Sequence, residues 1–429
     1  MPTPNEAFLS YLWQYQQFNH NAPQTERGEM LQVLHPGRLN TNAGADFQEA
    51  RVRIDDVEWV GTVEIHARSS DWFQHQHQHD QAYENVVLHV VWEHDAPVYR
   101  RDGTEIPTLT LASRTDLSLL GRYQALLDSR EVIPCAAQFG RVAEITRFSM
   151  LDKTLMQRLQ TKAGAVAELF DANGQDWEET AWQVLARAFG AKLNADPMGQ
   201  LARTIPLKLL QKHRGNLFQI EALLLGTAGL LPPPDCIDDY AIRLTKEFDF
   251  LGAKYNLPEK TVGPQVWKFM RLRPANFPTV RLAQLAWLID QQPSIFSLLV
   301  HAKSMEEYRK LLSANQSGYW ETHYVWGKVA AAPVPSLGQQ ALDNLLINAA
   351  VPLLVCYAQE RDQPAALDRA IALLENLPAE QNQIISIYTD LGQKITSAFD
   401  SQGAIEWYTQ FCTQHQCLRC NVGATLLKQ

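Results

Sequence analysis

The chain has 429 residues, 46% hydrophobic and 20% charged, a composition that fills a core without disulfide or metal staples and suits two or three domains. Its formal net charge of −9 excludes a protein that coats nucleic acid by bulk attraction, though not one with a local basic groove. No run of about 18 apolar residues is visible and residues 1–12 lack a basic stretch ahead of an apolar one, so neither a membrane span nor a secretory signal is expected, and the expected location is cytoplasmic.

Residues 5–18 carry Phe8, Leu12, Trp13 and Tyr15 at helical spacing, with Asn5 as the N-cap. Residues 30–34 make a short strand stopped by the turn sequence His35-Pro36-Gly37. After the small polar residues 40–44, Ala50 to Ile54 alternates as a half-buried strand does. Asp55-Asp56 turns the chain, and residues 59–67 form the next strand. Ser69 or Ser70 caps a helix predicted over 71–83, with Asp71 placed to complement the helix dipole. Val86 to Trp92 is apolar on both faces and therefore a central strand, while 108–111, behind Pro107, suits an edge.

Past about residue 130 the pattern becomes helical, with helices predicted over 151–169, 177–189, 280–289 and 344–357 and proline-rich loops at 232–234 and 333–335. No fixed repeat period is present. The expectation is an α/β domain over residues 1–130 in the order α-β-β-β-α-β, followed by a large all-α domain over 131–429.

The first chemical constellation is Asp46 with Glu64-Ile65-His66. Glu64 and His66 are two apart on a strand and leave the same face, with Asp46 one hairpin away. Converging carboxylates suit Mg²⁺ or Mn²⁺, which stabilises phosphoryl charge and eases deprotonation of water. In this order of elements the arrangement resembles the PD-(D/E)XK nuclease superfamily. Gly44-Ala45-Asp46-Phe47 stands where its Pro-Asp turn would be, Glu64-Ile65-His66 where its Glu-X-Lys would be, and Glu6 where many members place a further carboxylate. The resemblance covers the first 95–115 residues and implies a restriction-endonuclease-like core. It implies metal-dependent hydrolysis of nucleic acid, with Asp46 and Glu64 as metal ligands and His66 as the third catalytic residue. His66 departs from the lysine: an imidazole is cationic only at lower pH and can itself bind metal.

Gly61 to His66, Ser69 to Trp72, Leu88 to Val91 and Arg273 to Pro278 also resemble, over nearly the whole length, an uncharacterised bacterial family known only as a domain of unknown function. That resemblance implies no activity.

Six of twelve histidines fall between His66 and His94. On the predicted helix His75 and His79 are i, i+4 neighbours, a spacing able to hold Zn²⁺, while His75, His77 and Asp80 are candidates to line the pocket over Glu64 and contact substrate phosphate. His79 and His94 also fit a solvated surface, and His89, in an apolar strand, is either a core histidine or a site residue. Cys412-x4-Cys417-x2-Cys420 matches part of an iron–sulfur or Zn²⁺ ligand set, with Cys135 or His415 as a candidate fourth ligand; buried inert thiols are the alternative. Some nucleases of the superfamily named above join their chain ends through an iron–sulfur cluster on one early and three late cysteines, although with a different late spacing.

Residues 260–289 hold Lys260, Lys268, Arg271, Arg273 and Arg281 with no acidic residue, interleaved with Trp267, Phe269 and Phe277. Such a stretch suits phosphate contacts and base stacking, or equally an inward aromatic face beneath a solvated basic one. No phosphate-binding GxxxxGK[ST] loop or GxSxG elbow occurs, and Gly121-Arg122-Tyr123 and Gly226-Thr227-Ala228-Gly229 build no dinucleotide fingerprint, which removes motor NTPases and Rossmann oxidoreductases. The leading expectation is a metal-dependent nuclease. The alternatives are a non-catalytic scaffold that binds nucleic acid or protein, and a zinc hydrolase built on His66, His75 and His79.

Overall fold

A computed structural model of the chain describes residues 4–40, 42–233, 235–257 and 262–429. The chain divides into two compact units, Met1–Met150 with Trp407–Gln429, and Leu151–Glu406.

The first unit is an α/β structure around a mixed sheet. Its strands are β1 (Leu31–His35), β2 (Arg38–Leu39), β3 (Phe47–Ile54), β4 (Val57–Arg68), β5 (Val86–Glu93) and β6 (Thr108–Thr110), in the order β1-β3-β4-β5-β6 with β2 beside β3. β1, β2 and β4 pair antiparallel with β3, whereas β4–β5 and β5–β6 are parallel. A parallel neighbour needs a crossover, which residues 69–85 supply. β5 buries every residue except Glu93, as a strand covered on both faces does. Gly61 lets β5 begin beside β4: a Cβ there would lie 2.5 Å from the Asn85 carbonyl, to which Thr62 N–H donates at 2.9 Å. Helix α1 (Glu6–Gln14) starts at Asn5, whose side chain accepts from Phe8 N–H at 3.0 Å, and packs its buried Phe8, Leu9 and Leu12 face on β4 and β5.

The crossover departs from the helix predicted over 71–83. It makes α2 (Asp71–Gln74) and then two 3₁₀ turns, His77–His79 and Gln81–Tyr83. Gln76 takes a left-handed conformation with φ of 61°, which ends the helix. The Asp80 side chain then accepts from Ala82 N–H at 2.9 Å, a local bond that competes with helical pairing. Ser69 and Ser70 do not cap α2 with their hydroxyls but donate to Asp95 at 2.9 and 2.7 Å. Burial works to raise the Asp95 pKa, yet the hydrogen bonds from Ser70 and Ser69 outweigh it and hold the carboxyl below its ordinary value.

Among its described residues the second unit is helical apart from a small hairpin, His323–Val325 with Lys328–Val329, which the sequence pattern did not suggest. The helix Trp177–Phe189 has the bounds expected of it, and its fully buried Trp182 donates to the Ala202 and Ile205 carbonyls at 3.2 and 3.1 Å. The run Gln339–Glu360 includes a π turn at Leu346–Ala350. It is long and apolar enough to cross a membrane by length and composition, which corrects the expectation that no such run exists; 78% of its apolar window is buried inside the protein, as in a core helix.

Candidate metal centre

Asp46 lies immediately before β3, and Glu64 and His66 project from the same face of β4. Asp46 N–H donates to Glu64 Oε2 at 3.1 Å, and Ile65 N–H donates to Asp46 Oδ2 at 2.9 Å. Each carboxylate is therefore aimed by a backbone amide from the neighbouring segment. Glu64 is only 6% exposed, whereas Asp46 is half-buried. Burial, followed by the adjacent Glu64 charge, pushes the Asp46 carboxyl up to about 7 against the Ile65 N–H bond that favours ionisation.

Four histidines complete the cluster. His66 Nδ1 lies 2.8 Å from His89 Nε2, and His66 Nε2 lies 3.0 Å from His75 Nδ1. Glu64 Oε1 is 3.5 Å from His66 Nε2 and 3.2 Å from His77 Nε2. His66, His75 and His77 each offer a ring nitrogen within 4.8 Å of the others. Burial, then the rings of His89, His77 and His75, lower the His66 pKa to about 2. His89 is fully buried, and burial followed by His77 and His94 lowers its pKa to about 3. Both rings are neutral, so a shared proton decides the chemistry. With His66 Nδ1–H donating to His89 Nε2, the His66 Nε2 lone pair faces His75, His77 and Glu64.

The broken crossover explains why His77, rather than His79, joins His75. His77 stacks on Tyr83 with ring centroids 3.8 Å apart, and its ring lies 5.3 Å from that of the buried Trp72. His79 and Asp80 are exposed and His94 is half-buried. Glu6 of α1 reaches the same surroundings: burial raises its pKa, with His75, Asp71, Glu64 and His77 as its electrostatic neighbours. Tyr83 is the site residue that the sequence reading missed. Burial, then the charges of Glu64 and Asp46, raise its pKa to about 12, and only the unforeseen turn at Gln81–Tyr83 brings it onto His77.

Lys268, Arg271 and Arg273 belong to the second unit and are exposed, Arg271 with φ of 64°. Trp267 points inward, 5% exposed, with its Nε1–H donating to the Ala228 carbonyl at 2.8 Å; Phe269 and Phe277 meet edge to face at 5.2 Å. Lys260 lies outside the described residues. Cys135, Cys412, Cys417 and Cys420 are buried cysteines of the first unit. Burial, then Cys420 and Cys417, raise the Cys135 pKa to about 12, which places the early cysteine in electrostatic range of the last two. His415 is half-buried with φ of 49°.

Nothing among the curated proteins or the solved structures matches the chain. A family model described as "Protein of unknown function (DUF2851)" matches residues 6–383, and the chain belongs to that family.

Proposed function

We propose that the first unit is a metal-dependent hydrolase of phosphodiester bonds in nucleic acid, with a PD-(D/E)XK-like core. One observation carries the reading: Glu64 Oε1 lies 3.5 Å from His66 Nε2 and 3.2 Å from His77 Nε2, with His75 beside His66 and Asp46 beside Glu64. The pairing of β3 antiparallel with β4, then β4 parallel with β5 across a crossover, supports the nuclease-like core.

The residues fit a divalent cation. His77 Nε2 is buried 3.2 Å from Glu64 Oε1 without hydrogen-bond alignment, two carboxylates crowd each other, and His66 is held neutral, the form in which imidazole ligates. His66, His75, His77 and Glu64 would hold the ion, with Asp46 as a further oxygen donor; nitrogen-rich donors favour Mn²⁺ or Zn²⁺ over Mg²⁺. A bound ion supplies Lewis acidity toward a phosphoryl group. The protein's own part is orientation. His89 fixes the tautomer of His66, the amides of Asp46 and Ile65 aim the carboxylates, and Tyr83 holds the His77 ring. Asp46, half-buried and beside Glu64, is the acceptor placed for a proton from attacking water. Lys268, Arg271 and Arg273 are proposed to contact the phosphate backbone from the second unit.

The three imidazoles also favour a second reading, a zinc hydrolase of small substrates, with His77 in the role that spacing suggested for His79. Metal analysis of the purified chain, followed by assays on single- and double-stranded DNA and RNA with Mn²⁺, Zn²⁺ or Mg²⁺, separates the two. Nucleic-acid cleavage lost in Glu64→Gln and Asp46→Asn supports the nuclease. Cleavage that survives both substitutions defeats it, and bound zinc with no cleavage of any nucleic acid moves the assignment to the second reading.

We further propose that Cys135, Cys412, Cys417 and Cys420 hold an iron–sulfur cluster or Zn²⁺, supported by their common burial and by the nearness of Cys135 to Cys417 and Cys420. Iron, sulfide and zinc analysis of anaerobically purified protein tests this against Cys417→Ala. Metal content unchanged by that substitution would refute it.

A further inference from the structure

The helical unit contains a cavity of about 780 Å³, within the size range of small-molecule sites. Its walls include Phe189 at the end of the helix Trp177–Phe189 and Leu193 just after it, Leu272, Arg281, and Gln339 and Asp343 at the start of the Gln339–Glu360 run.

Arg281 is the unusual group there. Its Nη1–H donates to Gln284 Oε1 at 2.9 Å and its Nη2–H to Asn276 Oδ1 at 2.6 Å, both neutral acceptors. Among the described residues it makes no ion pair. Burial lowers its pKa to about 10, and no neighbouring carboxylate offsets that cost. A guanidinium carries five donors, so with two amide oxygens as partners this half-buried group keeps donors available to a ligand and has no carboxylate to balance its charge.

Two further features favour an anion at this place. Lys192 lines the same cavity. The 22-residue run Gln339–Glu360 also begins there, behind Gly338, which offers no side-chain cap to the first amides. Asp343, 8% exposed and accepting from Gln339 Nε2 at 2.7 Å, adds an acceptor one turn further along. The cavity is thus able to receive an acidic group at one position and hydrogen-bond donors at another.

We propose that this cavity binds a small organic anion, a phosphate or a carboxylate, with its acidic group on Arg281 and the first turn of the Gln339–Glu360 run and its donor groups on Asp343. The site does not rest on the metal centre, which belongs to the other unit.

Calorimetric titration of the full chain with inorganic phosphate, citrate and a 5′-mononucleotide, at ionic strength matched with chloride, tests the proposal. Saturable one-to-one binding of at least one probe is expected, and the pattern among the three distinguishes phosphate from carboxylate recognition. Arg281→Met should weaken it about ten- to a hundredfold, the cost of losing charge-assisted hydrogen bonds. Leu193→Trp, at a 45% exposed position on the wall, should block binding while leaving the guanidinium in place. This second variant decides the matter if Arg281→Met fails to fold. Absence of saturable binding at millimolar concentration, or affinity unchanged in both variants, would overturn the proposal.

Discussion

Both units bury ionisable groups, but they partner them differently. In the helical unit the buried charged groups meet neutral or oppositely charged hydrogen-bond partners. Arg158 donates to Glu406 at 3.0 Å and to Gln402 at 2.7 Å, Lys162 donates to Asn348 and Gln402 at 2.9 Å, and Glu221 accepts from Tyr240 and from Ser317. Burial, then Arg158, lowers the Lys162 pKa to about 7, and burial raises that of Glu221 to about 7, so even these groups approach neutrality rather than remain charged and alone. In the first unit like meets like. Asp46 abuts Glu64, His66 lies among His75, His77 and His89, and His77 Nε2 has only Glu64 Oε1, at 3.2 Å and out of hydrogen-bond alignment, for company. Complementary pairs hold one packing in place. Crowded lone pairs with too few protons create a deficit that an added cation removes.

The contrast can be broken most forcefully at Glu64. With Glu64→Gln, the proposed metal-dependent hydrolysis should fall about a thousandfold, because a bound cation would lower the reaction barrier by several kcal/mol. Thermal shift with Mn²⁺ or Zn²⁺ gives a second readout: at a hundredfold excess over Kd the wild type should gain about 2.7 kcal/mol, and Glu64→Gln should gain little. An equal gain in both would erase the distinction between the units.

The helical unit should answer to pH instead. The Glu221 pKa is raised from 4.5 to about 7, so its contribution is fully present below about pH 4.5 and is lost as pH rises through about 7. That loss amounts to about 3 kcal/mol, and Glu221→Gln should flatten it in denaturant melts taken between these limits. A slope that persists in Glu221→Gln belongs to some other group.

Smaller effects sharpen the first unit further. His89→Phe keeps an apolar ring in the strand but removes the partner of His66 Nδ1, and should weaken metal binding about ten- to a hundredfold with little change in far-UV circular dichroism. Gln76→Gly should relieve the left-handed backbone at φ of 61° and stabilise the metal-free protein by about 1 kcal/mol, measured by denaturant unfolding.

Much of the sheet was legible from the sequence because period-two alternation and an unbroken apolar run have direct physical meanings. Residues 86–92 announced a doubly covered strand, and Asn5 announced the start of a helix. The meeting of Asp46, Glu64 and His66 followed from strand parity plus one hairpin. The crossover was misread because Asp71 to Tyr83 contains no glycine or proline, whereas the break is made by a glutamine in left-handed conformation and by an aspartate bonding its own backbone. Neither has a strong compositional signature, so the pairing of His77 with Tyr83 stayed hidden. The inward turn of Trp267 was similarly undecidable, since a mixed basic and aromatic stretch fits two orientations until packing selects one.

Trp407–Gln429 joins Met1–Met150, and its ties are specific: the Phe139 and Trp407 rings lie 5.7 Å apart, and Arg122 Nε–H donates to the Leu427 carbonyl at 3.0 Å. The helical unit is thus an insertion, and during synthesis the ribosome must deliver all of Leu151–Glu406 before the sheet-bearing unit receives its final segment. Nascent chains stalled ahead of Trp407 would present that unit without Trp407–Gln429, so the sheet-bearing unit is completed only after the helical unit has been translated, even though its first 150 residues emerge earlier.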